Sequence, residues 1–97
     1  MFTKEFIAEK VREIRKRYGF EDVPFFIDEV IYDSEGDKLF IIARDRSDKS
    51  AIIGNSFVIG KLREELEVKQ VTVYSKLDLL IKKKELRRAL EELKALT

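Results

Sequence analysis

Two helical patterns meet within four residues in the middle of this chain. The stretch Lys49-Ser50-Ala51-Ile52-Ile53 runs into Gly54, and Gly54-Asn55-Ser56-Phe57 then forms a tight corner from which a second amphipathic run continues to Leu66. Gly54 is a natural left-handed stop for the first helix, and Ser56 or Asn55 is suited to cap the second. A corner of this kind aims backbone N–H groups and a helix N-terminus at solvent, which suits a phosphate. It serves equally well as a bend that closes a core and binds nothing.

The 97 residues make one domain with a modest core. Hydrophobic residues at 44% argue against disorder, and the 40% charged residues match a heat-adapted composition. Lys and Arg number 20 against 19 Asp and Glu, a net charge of +1, so any basic footprint for nucleic acid has to be local. Cys and His are absent, which removes Cys/His zinc sites, thiol nucleophiles, histidine bases and disulfides. No Asp or Glu pair sits in a context that argues for a shifted pKa, so the chain is not expected to be an enzyme, and no cofactor or metal is expected. No apolar run approaches spanning length and no secretory leader is visible, so a cytoplasmic setting is expected.

In chain order, Thr3 can cap a helix with the stripe Phe6, Ile7, Val11, Ile14 and Tyr18, stopped at Gly19. Arg15, Lys16 and Arg17 lie in its last turn and complement the macrodipole. The basic face reads as solvated, with pairs such as Glu13–Arg17. After Pro24, the segment Phe25–Tyr32 reads as a strand with Phe25, Ile27 and Ile31 on one face. Asp33-Ser34-Glu35-Gly36-Asp37 is a turn in which Gly36 is expected to take the positive φ. The return strand Leu39–Ala43 is apolar on both faces and should be central. Ser47 or Asp48 is the expected cap of the short helix ending at Gly54. The next helix should bury Val58, Ile59, Leu62 and Leu66, with Gly60 kept for close helix approach. Lys69–Tyr74 reads as a third strand, Val71 and Val73 inward. Ser75 and Asp78 form a capping box for a last helix with Leu79, Leu86, Leu90 and Leu93 in one stripe, beside the cluster Lys82-Lys83-Lys84 and Arg87-Arg88.

The order is therefore α-β-β-α-α-β-α, an α+β fold with a three-stranded mixed sheet, the third strand parallel to the second. This order, with Ile52-Ile53-Gly54 followed by Gly60-Lys61-Leu62-Arg63-Glu64-Glu65-Leu66, resembles a KH domain of the type II (prokaryotic) arrangement over roughly Pro24–Tyr74, with residues 76–96 an added helix. Asp48–Gly54 and Gly60–Leu66 are also similar to a KH-like region of some archaeal PP-loop ATPases that modify tRNA. The Ser-Gly-Gly nucleotide motif of those enzymes is absent, so their activity does not carry over.

What the KH resemblance implies is contact with single-stranded or tRNA-like RNA through a Gly-x-x-Gly corner that clamps about four nucleotides. The corresponding residues here are Gly54, Asn55, Ser56 and Phe57, flanked by Lys49, Lys61 and Arg46, with Ile52, Ile53 and Ile59 under the bases. Phe57 stands where the second glycine belongs, either closing the corner or offering a ring on which a base stacks. The alternative is an assembly module that has lost RNA contact and takes a protein partner or a second copy through the C-terminal helix. A Walker A reading of Gly54 to Gly60-Lys61 fails, because five residues separate the glycines and Leu62 replaces the Ser or Thr that holds Mg²⁺.

Overall fold

The computed structural model describes residues 2–96. Helix α1 (Lys4–Arg17) starts where Thr3 Oγ1 accepts the Phe6 N–H at 3.1 Å. It ends on Gly19, φ 77°, with the Phe20 N–H returned to the Arg15 carbonyl at 2.8 Å and the Gly19 N–H to Lys16 at 3.3 Å. Ile7, Val11 and Ile14 are buried, while Phe6 and Tyr18, at the margins of the stripe, stay exposed.

Strands β1 (Ile27–Asp33), β2 (Lys38–Ala43) and β3 (Gln70–Ser75) form one sheet in that order, β1 antiparallel and β3 parallel to β2. Helices α2 (Arg46–Ile53) and α3 (Phe57–Leu66) make the crossover, and α4 (Lys76–Leu96) follows β3. The fold class, element order and central position of β2 are as expected. One sheet face, carrying Leu39, Ile41, Ala43 and Val73, packs against Ile7, Val11 and Ile14 of α1, Ile52 of α2, and Val58 and Leu62 of α3. Ile59, Leu66 and Val71 pack at its margin.

Four local expectations are corrected. In β1 the register shifts between Ile27, opposite Ala43, and Glu29, opposite Ile42. That extra residue flips the alternation, so Val30 turns to the core opposite Ile41 and Ile31 joins Phe40 on the outer face. In the hairpin, Asp37 and not Gly36 has positive φ, 52°. Its carboxylate accepts the Tyr32 hydroxyl at 2.6 Å, which raises the Tyr32 pKa, and the Lys69 N–H at 3.1 Å. Those bonds offset the cost of a left-handed residue and fasten the hairpin to the approach to β3.

The cap of α2 is Asp45, whose Oδ1 accepts the Asp48 N–H at 3.1 Å while Asp48 Oδ2 accepts the Asp45 N–H at 3.1 Å. Ser47, one of the two expected caps, instead donates its hydroxyl to Asp45 at 2.7 Å, the largest of the contacts that lower the Asp45 pKa. Asp48 Oδ1 takes the Phe26 N–H at 3.0 Å and so ties α2 to the entry of β1. Finally, a Cβ added at Gly60 would meet no atom within 4 Å, so close helix approach does not explain that glycine.

The Ser75–Asp78 capping box is present, with the Ser75 N–H on Asp78 Oδ2 at 2.9 Å and the Asp78 N–H on Ser75 Oγ at 3.2 Å. Lys49 Nζ reaches Asp78 Oδ2 at 2.7 Å, and Lys76 Nζ pairs with the buried Asp28 Oδ2 at 2.7 Å without the alignment of a hydrogen bond. Strand β3 thus passes into α4 with no loop between them. The radius of gyration is 15.7 Å and the longest extent 56 Å. A chain of this length packed on itself would give about 13 Å, and the excess is the standing-off of α4.

Candidate functional site

Gly54, Asn55 and Ser56 are three successive left-handed residues, φ 51°, 55° and 69°, and they turn the chain almost in place. The Gly54 carbonyl accepts the N–H groups of Phe57 at 3.0 Å and Val58 at 3.5 Å, and Ser56 O accepts the Gly60 N–H at 3.4 Å. Ser56 holds the N-cap position of α3 but its side chain makes no capping bond. Two of the donors that an anion would use are therefore closed onto the corner itself.

Phe57 explains why the corner sits where it does. Its ring meets Tyr18 edge-on at 4.9 Å between centroids and stacks on Phe20 at 6.1 Å. The left-handed Gly19 separates those two rings in sequence, so the end of α1 grips the start of α3. Lys61 Nζ lies 5.7 Å from the Phe57 ring and 5.6 Å from the Tyr18 ring, within cation–π range, and also pairs with Glu64 at 3.4 Å. The Phe57 side remains 42% exposed.

The structure brings Gly54, Asn55, Ser56, Phe57 and Lys61 together and leaves Lys49 and Arg46 apart from them. Lys49 turns to Asp78 of α4, and Arg46 occupies the exposed first turn of α2, at the far end from the corner. Ile52 is fully buried in the core and lines no groove, while Ile53 and Ile59 are half-buried. A cleft of about 360 Å³ opens beside Gly54 and Asn55, bordered by Pro24, Ser47 and Ser50. Its one cation, Arg15, is committed elsewhere: its guanidinium donates to the Ala51 carbonyl at 2.8 Å and the Glu21 carbonyl at 2.7 Å and lies over Phe20. Arg15 is thus buried, against the expectation of a solvated basic face. Arg17 pairs with Glu65 of α3 at 2.8 Å, a bond that raises its pKa, and not with Glu13, which pairs with Lys10.

No protein-family model, curated protein or solved structure matches this chain. No helix is long and apolar enough to cross a membrane, and no group of three or more Asp or Glu is placed to hold a metal ion among the described residues.

A second surface stands out on geometry alone. Asp78, Ile81, Lys82 and Glu85 of α4 line a groove with Thr72, Val73 and Tyr74 of β3 and with Lys49. At about 100° per residue, the stripe Leu79, Leu86, Leu90 and Leu93 lies roughly a quarter-turn round the helix from that side. All four are exposed, Leu86 by 65%. The outer face of the sheet carries Ile31, 45% exposed, beside Phe40, Ile42 and Tyr74, the last stacked on Phe40 at 6.4 Å. Sequence reasoning passed over this face, although the double-sided apolar pattern of β2 was its signal.

The anchor of α4 carries a pH dependence. The Lys49 ammonium, and after it the Ser75 N–H, hold the Asp78 carboxyl at about 2, below its ordinary 3.8. A depressed carboxyl favours the folded state above its unfolded pKa and loses that effect as pH falls through the folded value. Thermal melts should therefore show Asp78→Asn lowering Tm at pH 6 and converging on the parent between about pH 4 and about pH 2. A constant difference down to pH 2 would contradict the assignment.

Proposed function

We propose that this chain is an assembly module that holds a protein partner through the leucine stripe of α4 and the outer face of the sheet. The observation that carries this reading is the bare stripe on a helix that stands clear of its own domain. Contiguous apolar surface of this kind marks an interaction site. The corner, whose Phe57 and Val58 N–H groups are turned onto the Gly54 carbonyl and whose Phe57 ring is held by Tyr18 and Phe20, supports the same reading. In light scattering of the purified chain, with and without its bound proteins, the parent should travel in a complex larger than one chain. Leu90→Glu, at an exposed position, should remove that complex and leave the circular dichroism unchanged. An identical mass for both chains, with the same bound proteins, would end the proposal.

A second reading has one observation behind it. Tyr18 and Phe57 present two half-exposed rings with the Lys61 ammonium within cation–π range of both, a platform suited to a base of single-stranded or tRNA-like RNA in a KH-like chain. It expects salt-sensitive anisotropy with short RNA pools, weakened by roughly 5- to 100-fold on Phe57→Ala. No binding at low salt would remove it.

A further inference from the structure

We infer that the partner is a second copy of this chain, with α4 of each copy lying across the outer sheet face of the other. The inference rests on the assembly reading and names the occupant. Two apolar surfaces are bare in one molecule, and each has the shape that covers the other. The outer strands of the sheet are about 10 Å apart, the diameter of one helix. A sheet's apolar face is normally buried against another element, and here Ile31 is 45% exposed and Phe40 and Ile42 stay outside the core, while Tyr74 meets α4 only at the edge groove.

The chain's own α4 does not serve. It starts at the residue after β3, is pinned by the Ser75–Asp78 bonds, Lys49–Asp78 and Lys76–Asp28, and turns Asp78, Ile81, Lys82 and Glu85 toward β3. A two-fold operation satisfies both surfaces at once, since the contact of one copy's helix on the other's sheet is repeated in reverse.

Charge selects this arrangement. The stripe is flanked by Lys82, Lys83 and Arg87, whereas the sheet's outer face and hairpin tip carry Glu29, Asp33 and Glu35 against one cation, Lys38 opposite Asp33. Pairing two α4 helices with each other about the middle of the stripe would crowd those cations together and leave both sheets uncovered.

Sedimentation equilibrium on three full-length chains tests the inference. The parent should be a dimer at tens of micromolar. Ile31→Lys and Leu90→Glu should each weaken dimerisation at least tenfold. An equimolar mixture of the two variants should recover a particle of two chains, one of each kind, because one intact helix then meets one intact sheet, and in the other contact the new acid meets the new base. Gln replaces either substitution if circular dichroism shows that fold is lost. A monomeric parent overturns the inference. So does a dimer that survives Ile31→Lys, or a mixture that stays monomeric. Loss of association on Leu90→Glu alone overturns the inference while leaving the assembly reading standing.

Discussion

Replacing Gly54 with Ala is expected to destabilise the chain by about 2–5 kcal/mol. A left-handed non-glycine residue costs roughly 1–2 kcal/mol, and forcing a methyl into packed surroundings adds roughly 1–3 kcal/mol. Both apply here, because Gly54 has φ 51° and an added Cβ would overlap the Val58 side chain, its Cβ only 2.7 Å away. Domains of this size hold together by about 5–15 kcal/mol, so thermal unfolding should move down by at least about 10 °C. Gly60→Ala is the matched control. It adds the same methyl six residues later, in open space and in a helix, and should raise stability by up to about 1 kcal/mol. Equal melting temperatures for the two variants would show that the corner is not a packed joint.

The second large effect is expected at Arg15. Replacing it with Met keeps much of the apolar stem but leaves the Ala51 and Glu21 carbonyls without their charged donor, at a cost of about 2–4 kcal/mol in denaturant unfolding. Arg15→Lys should recover little, since one ammonium does not reproduce a planar fork that reaches two carbonyls. Arg17→Met supplies the contrast: its pair with Glu65 is on the surface, and the unfolding midpoint should scarcely move. If Arg15→Met behaves like Arg17→Met, the guanidinium is not the tie between α1 and α2.

What the sequence revealed of this molecule was local. The caps at Thr3 and Ser75, the stops at Gly19 and Gly54, and the inward faces of α1, α3 and β3 all follow from spacing within a few residues. Failures occurred wherever a distant residue decides. Arg15 reads as one cation among three until the Ala51 carbonyl, from another helix, turns out to need it. Phe57 reads as plug or platform, and its ring contacts with Tyr18 and Phe20, from the end of the neighbouring first helix, are invisible to local spacing. In β1 a single unpaired residue reversed the faces of everything beyond Glu29, and no propensity marks it. At α2, three polar residues compete for one cap, and Asp45 wins because Asp48 can then reciprocate and also hold Phe26.

The direct passage from β3 into α4 has a mechanical consequence. Ser75 is at once the last rung of the sheet and the cap of the helix, so strand and helix turn as one stiff lever whose 21-residue helical arm is about 32 Å long. A load at the Leu93 end is transmitted through Lys76 and Asp78 to the first strand and the second helix, with no flexible joint to absorb it. Whatever grips the tip of that arm sets the angle at which the whole domain is presented.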